Sequence, residues 1–450
     1  MTARAVTAGL IAAAFLVAGC AREEILPGER FDVTAPLDAT AEPGATAAKL
    51  NPPGPLDPIL RDVAFPMPAQ VNHTSWTHRG GTPTHWISHP ALGSGLTKVW
   101  SASIGAGDSR RYKVTADPIV AEGRIFTLDS RSQVMAHSTG GATLWSQTLV
   151  PPEDRARDAS GGGLAFGGGK LFVTTGFGLL MALNPANGQV LWTQNFDSPV
   201  AGSPTVVGDL VYVSSRDNRG FAVRTDNGRL QWELTTAPTV AATINGSGPA
   251  VDNRIAVFPF GSSELVAALR LGGVRVWGAM LAGQRRGFAF AGIGDISADP
   301  VIVNGIAYAG SPAGRIAAIN VTSGERIWTA TEGAMSPVWV EGGSVFAVTD
   351  LQQLARLDAK TGEVIWRIDM PRFKKERPRK RRDVFAHYGP VLAGGRLIVA
   401  SDDGYIRSFN PRNGALISTI ALPGGATTNP VVVDRTLYVV TTAGQLVAFR

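Results

Sequence analysis

One segment, Ala-x-Asp/Asn-x-x-x-Gly-x-x-x-Trp, returns along this 450-residue chain and constrains its fold more than any other feature. Clear copies run from Ala182 to Trp192, Ala222 to Trp232, Ala267 to Trp277, Ala318 to Trp328 and Asp358 to Trp366. A copy one residue shorter runs from Ala136 to Trp145, and a degenerate one has Asn410, Gly414 and then Ser418 in place of the tryptophan. The Trp positions 100, 145, 192, 232, 277, 328 and 366, with Ser418 as the eighth, are 38 to 52 residues apart. Blades of roughly 40–45 residues are the propeller spacing. A proline opens most units: Pro118, Pro204, Pro249, Pro300, Pro337, Pro390 and Pro430, the unit near Leu164 lacking one. Each then carries alternating strands such as Leu210-Val211-Tyr212-Val213.

The motif has a physical reading. Asp or Asn bonds its own backbone in a tight turn, and Gly takes positive φ. The Trp wedges its apolar face between sheets while its N–H finds a partner. These residues are expected to build blades and not to bind a ligand. The chain ends in Gly444–Arg450, the front of a motif without its Trp, and Lys98-Val99-Trp100 is a back without its front. Joined, they make a composite blade and remove two free sheet edges. The expected fold is therefore all-β: an eight-bladed β-propeller of four-stranded antiparallel blades, closed by pairing of its N- and C-terminal segments.

Upstream of the repeats, Arg4 precedes an apolar run from Ala8 to Ala18, too short to span a bilayer comfortably. It ends in Val17-Ala18-Gly19-Cys20, which resembles the bacterial lipobox and marks Cys20 as the expected lipidation site. Cys20 is the single cysteine, so no intramolecular disulfide can form. Three hydrocarbon chains on one residue would anchor stably. The expected division is a lipoprotein signal peptide at 1–19, a lipidated tether or strap at 20–92 and the propeller at 93–450. The tether is rich in Pro, Ala, Thr and Glu up to Leu60. His73, His78, His85 and His89 follow with Trp76 and Trp86, at spacings that match no metal motif, so this part reads as a strap lying on the propeller.

The formal charge of +6 is local. Residues Arg372 to Asp383 hold eight basic side chains against Glu376 and Asp383, an excess equal to that of the whole chain. A nucleic-acid-binding face is thereby excluded. Arg372, Lys374, Lys375, Arg377, Arg379, Lys380, Arg381 and Arg382 are candidates to meet anionic lipid head groups, lipopolysaccharide phosphates or an acidic partner; a solvated loop is the alternative. There is no Walker loop, HExxH helix or Gly-x-Ser-x-Gly elbow. Ser160-Gly161-Gly162-Gly163 lacks the strand and helix signals of a phosphate cradle and reads as a flexible turn. Asp402-Asp403-Gly404 reads as a hairpin turn, and no carboxylate cluster is dense enough for calcium. No catalytic residue, metal or cofactor is expected.

At the repeats the chain resembles the PQQ-like propeller superfamily. With the lipobox, it is similar to the propeller lipoproteins of the outer-membrane β-barrel assembly machinery. The stretch from Gly294 to Gly305 is especially similar to the corresponding family segment. The resemblance implies a non-catalytic subunit on the periplasmic face of the outer membrane. Ala21, where an Asp would imply inner-membrane retention, fits that placement. It also implies docking on a POTRA domain of the barrel-inserting subunit and help in delivering unfolded β-barrel substrates. The family's acidic docking loop maps to Asp295, Ser297 and Asp299. Its Leu-x-Leu-Arg element maps to Ala241-Ala242-Thr243-Ile244, where both Leu and the Arg are missing, so Ala241, Thr243 and Ile244 mark a diverged surface. Two alternatives remain. One is a quinoprotein dehydrogenase, which resembles the chain in its repeats but uses a vicinal disulfide and calcium. The other is a sugar- or peptide-binding propeller.

Overall fold

The computed structural model describes residues 61–200, 202–239, 246–283, 285 and 295–450. Within them, eight four-stranded antiparallel sheets follow one another around a ring. Blades 1 to 7 take residues 119–148, 162–195, 205–235, 250–280, 298–330, 339–369 and 387–421, innermost strand first. Blade 8 takes three strands from 431–449, and its outermost strand is Lys98–Ser103. The closure pairs Trp100 with Ala448 and Ser103 with Gln445, and Thr97 and Arg450 exchange backbone hydrogen bonds of 2.8 and 2.9 Å. The propeller and its closure are as the repeats foretold.

Each motif is a lock between neighbouring blades. Its Gly has positive φ, as at Gly188 (+76°) and Gly228 (+76°), which only Gly adopts cheaply. The bare Cα lets the previous blade's tryptophan lie on the turn: a Cβ on Gly228 would stand 2.6 Å from the Trp192 ring. The Trp192 N–H then donates to Thr225 O at 3.0 Å. Seven Trp–Gly locks repeat this, from Trp100 on Gly141 to Trp366 on Gly414. Ser418 pairs with Ser408 in the register that elsewhere holds Trp. The turn it would dock against lies in blade 8, where the chain is interrupted between Arg450 and Thr97. The degenerate motif thus marks the seam.

One sequence expectation is corrected. Gly162 and Gly163 are not in a flexible turn but open the innermost strand of blade 2, Gly162–Gly167. Glycine is required there because the strand is pressed between neighbours. A Cβ on Gly163 would lie 2.3 Å from Ser203, and one on Gly162 would lie 2.2 Å from Thr174 O.

Antiparallel connection puts alternate turns on opposite faces of the disc. One face carries the first-to-second and third-to-fourth strand turns. The other carries the second-to-third turns and every blade-to-blade connection. The cores lie between sheets, where alternate strand residues such as Val211, Val213 and Val223 are buried.

Candidate functional site: a strapped channel and an open loop face

Residues 61–97 lie across the first face and bond to every blade. The backbone of Trp76 exchanges hydrogen bonds with Val120 of blade 1, at 2.7 and 2.8 Å. Phe166 N of blade 2 donates to Thr77 O, Val251 N of blade 4 to Pro83 O and Ile302 N of blade 5 to Thr84 O. Blade 3 donates Val206 N to His78 Nε2 (3.0 Å), and blade 6 accepts from Trp86 Nε1 at Val340 O (2.7 Å). Blades 7 and 8 are met at their first turns, through Gly395 N to His89 Nε2 (2.8 Å) and Asp434 N to His73 O (2.9 Å). Val120, Phe166, Val206, Val251, Ile302 and Val340 hold the same register position in successive innermost strands. The strap thereby uses N–H and C=O groups that an inner edge leaves unpaired. Its entry is clamped by buried Arg356, which donates to Val63 O (2.9 Å) and Ala64 O (2.8 Å) and lies over the Phe65 ring.

The strap histidines are structural. His89 donates from Nδ1 to Pro68 O (2.9 Å) while Nε2 accepts, so it is neutral. Burial pushes His78 down to about 3, with His85 adding to the effect, and burial also lowers His85. Among the described residues no group of three or more His, Cys, Asp or Glu is placed to hold a metal.

Between His78 and Gly80 the strap turns, and Arg79 reaches into the channel. Its guanidinium pairs with Asp117 (3.2 Å) and Asp299 (3.4 Å). Those carboxylates precede the opening prolines of blades 1 and 5, which face each other across an eight-membered ring. A side chain reaching both stands on the axis. Asp117 also accepts from Asn429 N (2.9 Å) and Nδ2 (2.8 Å), and Asp299 accepts from Gly248 N (3.0 Å). Burial raises the Asp117 carboxyl above the ordinary carboxylate value, although Arg79 and Asn429 pull it down. Burial also works against the charge on Arg79, but Asp299 and Asp117 outweigh it.

Beside this cluster, Trp76, Trp339 and Pro390 line a cavity of about 30 Å³, with room for about two waters. Trp339, whose buried Nε1 has no hydrogen-bond partner among the described residues, belongs to that lining. A quinone cofactor with its calcium does not fit. Arg79 holds the axis between Asp117 and Asp299, and of their four carboxylate oxygens only Asp299 Oδ2 is left without a bond among the described residues.

The opposite face carries the loops singled out in the sequence. Asp295 is buried (6% exposed), Ser297 is half-buried, and Ser297 Oγ donates to Ala334 O at 3.5 Å. Asp299 lies inside the channel and offers no surface. Ala241, Thr243, Ile244 and Cys20 lie outside the described residues. The same face holds a pairing that sequence reasoning missed: Arg285 binds Asp350 through two bonds of 2.6 and 2.9 Å, tying the connection after blade 4 to blade 6. Sixty-five residues separate the two, and no local period announces them.

The basic segment also emerges here, between blades 6 and 7. Its base is fixed by Lys374 on Asp402 (2.6 Å) and by His387 Nε2 donating to Pro371 O (2.8 Å). The turn Asp402-Asp403 is a hairpin, with Asp403 on Arg407 at 2.6 Å.

Fold and site together define a propeller of PQQ-like repeats whose channel is closed on one side by its own chain and whose other side displays loops. The family described as outer membrane protein assembly factor BamB matches residues 130–368 and 353–450. The chain belongs to that family. A relative from Shewanella oneidensis with the same description is 26% identical over 357 residues, covering 77% of this chain and 87% of that protein. The crystal structure of BamB from Moraxella catarrhalis superposes with a TM-score of 0.63 at 19% identity, covering 79% of this chain and 98% of that one. Quinohemoprotein alcohol dehydrogenase from Comamonas testosteroni reaches a TM-score of 0.60 at 15% identity, covering 84% and 80%. At such identities the two structures show a shared propeller.

Proposed function

We propose that this chain is a non-catalytic scaffold subunit of the outer-membrane protein assembly complex. It is held at the periplasmic face of the outer membrane by lipid on Cys20. Its loop face docks on a POTRA domain of the BamA-like barrel-inserting subunit and aids delivery of unfolded β-barrel substrates. The single observation that carries this reading is the asymmetry of the disc. Arg79 and the strap cover one side of the channel, where Arg79 pairs with both channel carboxylates, whereas all inter-blade connections gather on the other. Family membership supplies the system in which the scaffold works.

The loop around Ser297 is the docking candidate, because Asp295 and Asp299 are buried and Ser297 is the accessible member. Ser297→Trp places a bulky group there and is expected to abolish co-purification of the barrel-inserting subunit from detergent extract, with the melting temperature unchanged. Unchanged co-purification of a folded Ser297→Trp protein removes this loop from the interface. The outermost strands, with exposed Leu144, Leu191, Leu230 and Ile327, present apolar edges suited to transient pairing with nascent strands.

A further inference from the structure

The basic segment 371–386 is a built finger, not a solvated run. Phe373 and Val384 form an antiparallel bridge, Phe385 N donates to Arg372 O (2.8 Å), and Lys374 N donates to Asp383 O (2.9 Å). A 3-10 turn at Pro378–Lys380 closes the tip. The Phe373 ring meets the guanidinium groups of both Arg372 (5.0 Å) and Arg381 (5.1 Å), and Lys374 stands over Phe385 at 5.7 Å. These contacts and the Lys374–Asp402 pair occupy three of the eight cations at the base and flank.

The other five, Lys375, Arg377, Arg379, Lys380 and Arg382, are exposed, and none forms an ion pair among the described residues. Five cations held within eight residues repel one another, and the fold fixes them there without compensation. An ordered, uncompensated cluster is a surface made for a dense anionic partner. Three of the five are Arg, whose planar fork matches phosphate oxygens two at a time. Val384, exposed at the flank, and the half-buried Phe373 and Phe385 add the apolar shoulder an interface with acyl chains favours. The rest of the chain is formally neutral, so this finger dominates its charge asymmetry.

The geometry points to the finger as a phosphate-binding contact with an anionic lipid surface, turning the loop face toward the membrane. This contact is separate from Ser297 docking, and either can fail alone. The test uses residues 20–450 with Cys20→Ser, exported behind a cleavable signal, so that no acyl chain confuses binding. Vesicles of phosphatidylcholine alone, with phosphatidylglycerol, or with lipid A are mixed with the protein and sedimented.

The expected result is binding that needs an anionic lipid and weakens with salt. Arg377→Glu/Arg379→Glu/Lys380→Glu is expected to lower it by about a hundredfold or more. Arg229→Glu/Arg254→Glu/Lys360→Glu, the same charge change on the strap face, is expected to retain it. Equal binding at matched charge assigns phospholipid head groups as sufficient, and binding with lipid A alone assigns its phosphates. The proposal is overturned if the unmodified finger ignores anionic vesicles or if the finger variant binds them equally. It is also overturned if the finger variant keeps vesicle binding but loses co-purification of a protein subunit from detergent extract, which would mean an acidic protein is the partner.

Discussion

Replacing Arg79 by alanine would leave Asp117 and Asp299 buried in the channel without a counter-charge. Breaking a buried pair in this way costs about 3–5 kcal/mol, far above the loss of an exposed pair such as Arg412–Asp62. Denaturant unfolding should therefore separate Arg79→Ala sharply from Arg412→Ala. Adding Asp117→Asn and Asp299→Asn to Arg79→Met should restore most of the loss. The histidines set a pH limit. His78 is neutral when folded, with its pKa down at about 3 against the ordinary 6.5. Protons thus favour the unfolded chain, so its contribution is intact above 6.5 and falls as pH drops toward 3. Between pH 6.5 and 5 this amounts to about 2 kcal/mol for one such histidine. The melting temperature should fall as pH drops over that range in the parent and fall less in His78→Gln. The blade prolines were readable, but the polar residues before three of them, Asp117, Asp299 and Asn429, were not read as a channel cluster. What they hold was not legible either, because Arg79 lies 38 and 220 residues away from its two partners.

At the scale of the element, the Trp–Gly lock was legible because its motif is compact and repeats, so that the Trp of one copy and the Gly of the next stand at a regular spacing. The strap was legible as a non-repeating segment expected to lie on the propeller, but its contacts were not. Its bonds, such as His85 Nδ1 to Pro300 O across 215 residues, obey no local period. The lock makes an asymmetric prediction. Trp366, fully buried, should cost about 3–5 kcal/mol on replacement by alanine. Ser418→Trp should bring no gain in melting temperature, because blade 8 has no motif turn to receive it. Gly228→Ala should cost more than Gly208→Ala. Both have positive φ, but a Cβ at Gly208 finds no atom closer than Arg270 Nη1 at 3.8 Å.

For the whole molecule, closure rests on the five residues Gln445–Phe449 between the second strand of blade 8 and Lys98–Ser103. Removing 444–450 should strand the outermost strand of blade 8 and expose two sheet edges. A broadened, less cooperative thermal transition and concentration-dependent association in gel filtration would register this, and a sharp monomeric transition would contradict it.

The strap also carries a consequence for the order of events during biogenesis. Chains are made from the N-terminus, so residues 61–97 emerge before any blade exists. Yet their partners are spread from Val120 to Asp434, and Thr97 waits for Arg450 itself. Contacts of such long sequence separation form late and slowly. The first folded part of the chain to be made is the last to be seated, and until Arg450 arrives Arg79 has no complete channel to enter.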